Sequence, residues 1–275
     1  MTNPATAAAV TLNNDVTMSA LGFGLLRVSD GDMDAAVSCA LSAGYRSFDT
    51  APIYGNEEAL NRALARSDVD RDEVFVTTKI SNQDHGYYRT LDAFGASEAK
   101  LGRIDMCLIH WPAPRRGQYL GTWRALEKLY YEGRVRAIGV SNFQPEQLER
   151  LLEVATVTPA VNQIELHPLL TQSELTNLHR AMGIRTQAWS PLAGGLLIDQ
   201  AVLAEFAVRH GVTVAQIVLR WHLQIGTIPL LKSSAVQRMG QNSDVFGFNL
   251  SDEEIVAISA LNRDQRTGPH PDDVE

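Results

Sequence analysis

Apolar residues recur along this chain in short runs, each ending at a polar corner and each followed by a stretch with helical spacing. The runs cover residues 19–26, 46–49, 74–79, 104–110, 135–140, 160–165, 184–189 and 227–231. Helical periodicity fills the intervals at 32–43, 57–66, 88–101, 119–132, 145–154 and 172–181. A longer region, 199–224, contains Gly211, which is expected to separate two helices. Ahead of all of these, residues 10–18 alternate apolar and polar positions around Asn13-Asn14-Asp15 and read as a short β-hairpin.

Eight strands alternating with helices predict parallel strands joined by right-handed crossovers. A doubly wound sheet is the rival, and it usually opens with G-x-G-x-x-G after its first strand. Here Gly22-Phe23-Gly24 runs into Leu25-Leu26-Arg27 without a third glycine. The pattern therefore predicts an α/β fold, a single (β/α)8 TIM barrel over residues 1–275. A non-helical tail, 262–275 with Pro269 and Pro271, is expected to lie over the rim.

The length of 275 residues suits one such barrel, typically about 250 residues. A net charge of −8, with no basic stripe, argues against nucleic acid as a partner. The two cysteines, Cys39 and Cys107, lie in apolar segments and read as buried thiols. No run of about eighteen apolar residues suggests a membrane span, and the first twenty residues lack Lys and Arg, so a cytoplasmic protein is expected.

Chemistry enters at the ends of the runs. Asp49 ends the second, Tyr54 lies in the loop after it, Lys79 ends the third and His110 ends the fourth. In a barrel these carboxyl ends form one active-site face. A phenol has an unperturbed pKa of about 10. A nearby ammonium favours the phenolate, so Lys79 is expected to make Tyr54 a better acid. Asp49 would hold the Lys79 charge, and His110 would donate a hydrogen bond to a substrate oxygen. The set suits protonation of a carbonyl oxygen during reduction.

The later strand ends carry groups suited to a nicotinamide cofactor. Ser141, Asn142 and Gln163 offer hydroxyl and amide groups to a carboxamide, and Trp189 offers a flat face for stacking. Lys232, Ser233, Ser234 and Arg238 follow the eighth strand, where phosphate sites are common in such barrels. This basic cluster in an acidic chain favours NADP over NAD, by offering partners to a 2′-phosphate.

These segments resemble the aldo-keto reductase family across essentially the whole chain. The matching strings are Phe48-Asp49-Thr50-Ala51, Tyr54-Gly55-Asn56-Glu57, Thr77-Thr78-Lys79, Ile109-His110-Trp111-Pro112, Gly139-Val140-Ser141-Asn142-Phe143 and Asn162-Gln163-Ile164-Glu165-Leu166-His167-Pro168. Leu231-Lys232-Ser233 with Arg238, Gln241 and Asn242 completes them. Length, short loops and the ending His270-Pro271-Asp272-Asp273-Val274 look most like bacterial members of the 2,5-diketo-D-gluconate reductase type. The resemblance implies a catalytic tetrad of Asp49, Tyr54, Lys79 and His110, with Tyr54 as proton donor. It also implies NADPH (NADP+ as product) lying across the rim. Ser141, Asn142 and Gln163 would hold the carboxamide, with Trp189 stacked on the ring. Ser190 and Leu192 would line the pyrophosphate, Lys232, Ser233, Ser234 and Arg238 would bind the 2′-phosphate, and Gln241 and Asn242 would lie near adenine. A monomer is implied as well.

Three departures bear on specificity. Gln241 stands where an acidic residue is frequent, Ile80-Ser81-Asn82 lacks the Trp common after the Lys, and Leu25-Leu26 replaces an aromatic residue. Leu25, Leu26, Ile53, Ile80 and Trp111, with the 111–118 loop and the tail, are the expected pocket for a small-molecule carbonyl substrate. Arg115 and Arg116 in that loop could attract an anionic one. Keto-sugars, small dicarbonyls, aromatic aldehydes and cyclic ketones are all candidates. Glu165 and His167 share a parity and could join His110 at a metal, but the family motif gives that string a structural role, and no metal is expected. The rival function is an NADP-binding regulatory or structural protein with little catalysis, since fold alone does not settle function.

Overall fold

The computed structural model describes residues 9–232 and 236–275, with side chains for all of these except 236–238. Two short strands come first, β1 (Ala9–Thr11) and β2 (Thr17–Ser19), paired antiparallel as the hairpin pattern predicts. Eight parallel strands follow: β3 (Gly22–Gly24), β4 (Ser47–Asp49), β5 (Phe75–Ile80), β6 (Ile104–Ile109), β7 (Val135–Ser141), β8 (Val161–Glu165), β9 (Arg185–Trp189) and β10 (Ile228–Leu231). They close in chain order into a barrel, with β10 paired to both β9 and β3.

Helices fill the intervals: α1 (Asp30–Ser42), α2 (Glu57–Ala65), α3 (Tyr87–Leu101), α4 (Tyr119–Tyr131), α5 (Pro145–Leu152), α6 (Ser173–Ala181), α7 (Ala201–His210) and α8 (Val214–Gln224). Gly211 ends α7 at φ +67, a conformation that suits glycine. Thr213 then caps α8 in a reciprocal capping box with Gln216. Two helices that the apolar pattern did not disclose follow the barrel, α9 (Val236–Ser243) and α10 (Asp252–Ser259). The second starts at a capping box between Ser251 and Glu254, but Val256 is exposed beside buried Ile258, which blurs its periodicity.

Side chains alternate between two apolar layers. One cluster lies between sheet and helices and includes Leu25, Phe48, Ile80, Ile109, Val140 and Ile164. A smaller one fills the barrel interior with Phe75, Met106, Leu108, Ala137, Val161 and Ile228, and Leu12 and Met18 of the hairpin close it from below. Gly139 is required there, because a Cβ would come within 2.6 Å of the Val161 carbonyl oxygen and 2.8 Å of Leu108 Cδ2. Among the described residues no single helix is long and apolar enough to cross a membrane.

Candidate active site

Strand register brings the predicted residues together. Asp49 pairs with Thr77, two before Lys79, and Lys79 pairs with Leu108, two before His110. Leu108 pairs with Gly139, two before Ser141, and Ser141 pairs with Gln163. Gln163 pairs with Gln187, two before Trp189. Because strand side chains alternate with a period of two, this series places Asp49, Lys79, His110, Ser141, Gln163 and Trp189 on one inner face at the carboxyl end. Tyr54 arrives differently, on a single 3-10 turn, Pro52–Tyr54, that ends at Gly55 with φ +71. Buried Asn56 fastens that loop by accepting from Thr50 Oγ1 at 2.7 Å and donating to the carbonyls of Leu25 and Val28.

Lys79 and Asp49 are both buried and form an ion pair, Nζ to Oδ1, of 2.5 Å. Lys79 also donates to the Thr50 carbonyl at 3.1 Å, and Gln163 Nε2 donates to Asp49 Oδ2 at 2.8 Å. Burial opposes the Lys79 charge most strongly, but Asp49 and then Tyr54 outweigh it and leave its pKa raised. The ammonium lies 5.3 Å from the centre of the Tyr54 ring. Tyr54 departs from the expectation of a net lowered pKa. Its burial dominates and raises the value, while Lys79 pulls it down and Asp49 pushes it up. At neutral pH the phenol therefore keeps its proton, and Lys79 stabilises the phenolate formed when that proton leaves.

The His110 ring packs edge-on to Tyr54 at 6.1 Å and stacks beside Trp111 at 6.3 Å. Burial, then the Lys79 charge and His85, push its pKa down to about 3. His110 is thus a neutral imidazole with one N–H to donate.

The amide and hydroxyl groups of the next strand ends form a connected row. Ser141 Oγ donates to the Gln163 carbonyl at 2.9 Å and accepts from Asn142 Nδ2 at 3.0 Å. Asn142, at φ +64, also donates to the His110 carbonyl and accepts Trp189 Nε1 at 2.8 Å. Its amide thus braces His110 and Trp189, a use that sequence reasoning did not foresee. Both side-chain N–H groups of Gln163 are spent on Asp49 and Gln187, leaving its side-chain oxygen, Oε1, available to an incoming N–H donor. Gln187 is itself a missed member of the row, recognisable by its place two residues before Trp189.

Ser190, at φ +51, and Leu192 are half-buried just beyond β9. Lys232 is largely exposed, and partial desolvation, then Arg27, a second cation on the loop after β3, lower its pKa. Ser233, Ser234 and the Arg238 side chain lie outside the described residues. Gln241 is exposed on α9 and Asn242 is buried beside it.

The expected pocket divides by parity. Leu26 and Ile53 are exposed and Trp111 is half-buried, so all three can meet a ligand. Leu25 and Ile80 cannot, and their assignment to the pocket is corrected. Each follows an inward residue, Gly24 or Lys79, so each points outward into the helix-facing core with at most 1% exposure.

Known proteins share this arrangement. The model of the family described as "Aldo/keto reductase family" matches residues 18–263. The chain belongs to the aldo/keto reductase family. Glyoxal reductase of Bacillus subtilis (strain 168) is 47% identical over 268 residues, 96% of this chain and 96% of that protein. An aldo-keto reductase of Mycobacterium sp. (strain JLS) is 46% identical over 267 residues, covering 96% and 97%. Among solved structures, a Gox0644 variant in complex with NADPH superposes with a TM-score of 0.93 at 40% identity, covering 98% of each chain. Bombyx mori aldo-keto reductase in complex with NADP gives 0.90 at 34% identity, covering 95% and 94%.

In this aldo/keto reductase the Glu165-His167 string has no metal-binding geometry. No cluster of three potential ligands exists among the described residues. Glu165 instead holds the C-terminal tail, which does cross the rim as expected. Its last residue, Glu275, lies 3.8 Å from both Arg115 and Arg116.

Proposed function

We propose that this oxidoreductase reduces small aldehydes and ketones with NADPH, Tyr54 giving the proton. The observation that carries the reading is the buried Asp49–Lys79 pair beside a protonated phenol and a neutral imidazole at one rim. NADPH, when bound, supplies the hydride for the carbonyl carbon. Gln163 Oε1 and the Ser141 hydroxyl have the capacity left to accept a carboxamide N–H, and Trp189 offers the stacking face. Lys232, with Ser233, Ser234 and Arg238, would hold the 2′-phosphate, and Gln241 and Asn242 would lie near adenine. The solved relatives that carry NADPH or NADP support this cofactor.

His110 donates its N–H to the carbonyl oxygen and aims it at Tyr54. As charge grows on that oxygen the phenol releases its proton, and Lys79, locked by Asp49, stabilises the phenolate. Lys79 acts mainly on that later state, and stabilisation confined to it lowers the barrier.

Leu26, Ile53 and Trp111 form the wall available to substrate, with no aromatic group after Lys79 to narrow it. That open wall and the glyoxal reductase relative favour small dicarbonyls, and keto-sugars of the 2,5-diketo-D-gluconate type come next. We assign the protein as one cytoplasmic, monomeric domain over residues 1–275. The test is Tyr54→Phe assayed by NADPH oxidation against glyoxal, methylglyoxal, a keto-sugar and an aromatic aldehyde. Turnover should fall by about 10²–10⁴-fold while NADPH binding is kept. Near-normal turnover on several carbonyls would remove Tyr54 from the role. Tight NADPH binding by the wild type with no oxidation on any carbonyl would favour the cofactor-binding regulatory or structural protein instead.

A further inference from the structure

The C-terminal segment reaches the proposed cofactor face through Glu165. This last residue of β8 pairs with Trp189 on the neighbouring strand β9, and its side chain has no solvent exposure. Its carboxylate accepts the Thr267 N–H at 2.6 Å, the Thr267 hydroxyl and the Gly268 N–H at 3.2 Å. His167 Nε2 lies 3.3 Å away and Arg266 Nη1 3.8 Å. Burial opposes the charge most strongly, yet the hydrogen bonds from His167 and Thr267 outweigh it and keep the carboxyl below its usual range. A buried carboxylate satisfied this fully is an anchor, and what it anchors is residues 266–268.

Gly268 is the point of that anchor. A Cβ there would come within 2.5 Å of Trp189 Cη2 and 3.2 Å of Cζ3, so the glycine backbone lies directly against the benzo edge of the indole. The opposite edge is tied through Nε1 to Asn142. Trp111 packs edge-on from a third side at 6.4 Å. Two of these three restraints come from barrel strand ends, and the third exists only while the tail is held.

We propose that Glu165 is a positioning residue for the cofactor: by anchoring residues 266–268 it braces Trp189 as the shelf on which the nicotinamide rests. The inference rests on the reading of Trp189 given above. A held indole pays little ordering entropy when the ring arrives, whereas a loosened one must be immobilised at that moment. The carboxylate thus acts on affinity through the tail and the indole, without touching the cofactor.

The test is a set of double-mutant cycles in the full chain, reading the NADPH dissociation constant by titration and the melting temperature alongside. Trp189→Ala should weaken NADPH by roughly three- to ten-fold, the worth of one aromatic stack. Glu165→Gln and Gly268→Ala should each weaken it by a similar roughly three- to ten-fold in the wild-type background. Neither should weaken it further in the Trp189→Ala background. A tail with only a structural role would lower the melting temperature without this dependence on Trp189. If Trp189→Ala leaves affinity unchanged, the shelf reading fails. If Trp189→Ala weakens binding but the other two do not, or weaken it equally without the indole, the shelf stands and the Glu165 inference is overturned. Should Glu165→Gln not fold, Glu165→Asp, which keeps the charge but withdraws it from residues 267–268, takes its place in the cycle.

Discussion

Replacing Lys79 with Met separates what the buried ion pair does for the fold from what it does for chemistry. At the 2.5 Å separation of Lys79 and Asp49, an effective dielectric of about 20 gives roughly 7 kcal/mol of attraction. Desolvating the two ions costs several kcal/mol each, so the net value of the pair is small. Removing one partner is another matter. Asp49 would keep only the Gln163 N–H, and an uncompensated buried charge costs about 3–5 kcal/mol. Lys79→Met should therefore lose about that much in urea unfolding at neutral pH. The double variant Asp49→Asn/Lys79→Met should recover most of it, since an Asn oxygen can still accept from Gln163. Turnover should recover in neither: without the ammonium, Tyr54 faces burial unopposed, and about 10²–10⁴-fold should be lost in NADPH oxidation assays. Activity that returned together with stability in the double variant would refute the assignment of Lys79 to proton transfer.

Other outcomes follow from features nearby. His85 and His179 have pKa values pushed down to about 4 by burial, joined at His85 by Arg116; burial also pushes His110 and His222 down to about 3, helped at His110 by Lys79 and His85 and opposed at His222 by a hydrogen bond to the Pro191 carbonyl. In the unfolded chain they titrate at about 6.5, so the unfolded state binds more protons below that pH. Each imidazole then removes about 1.4 kcal/mol per pH unit as pH falls from 6.5 toward its folded value. Melting temperature should drop between pH 6.5 and 5, ahead of carboxylate titration, and a flat profile there would contradict the burial of these rings. Gly139→Ala should cost about 1–3 kcal/mol or more by thermal unfolding, because a Cβ would strike the Val161 carbonyl and force β7 from β8. Arg115→Ala/Arg116→Ala should raise KM for anionic carbonyls and leave neutral ones unchanged. Equal losses for both would show that these arginines serve only the contact with Glu275.

Much of the site was legible because the barrel repeats its arithmetic. Lys79, His110, Ser141 and Trp189 sit at or next to the ends of their apolar runs, with Gln163 two residues before the end of its own, and closure of the barrel turns that shared position into shared space. The same arithmetic, not applied residue by residue, explains the errors. Leu25 and Ile80 lie beside functional positions in sequence, and one residue's step along a strand sends a side chain to the opposite face. Gln187 and the bracing amide of Asn142 depend on hydrogen bonds between strands far apart in the chain, which apolar periodicity does not encode. The grip of Glu165 on the tail joins residues about a hundred positions apart, and only the folded chain reveals it. The helix α10 was hidden for a local reason, since exposed Val256 interrupts the periodicity that the Ser251–Glu254 capping box introduces.

The hairpin beneath the barrel has a consequence for traffic. Leu12 and Met18 pack under Met106 and Leu108, all of them buried, so the barrel has an apolar floor and ligands come and go at the rim. Tyr54 stands at that same rim, on the turn after β4. A product slow to leave would therefore also cover the acid whose proton solvent must replace.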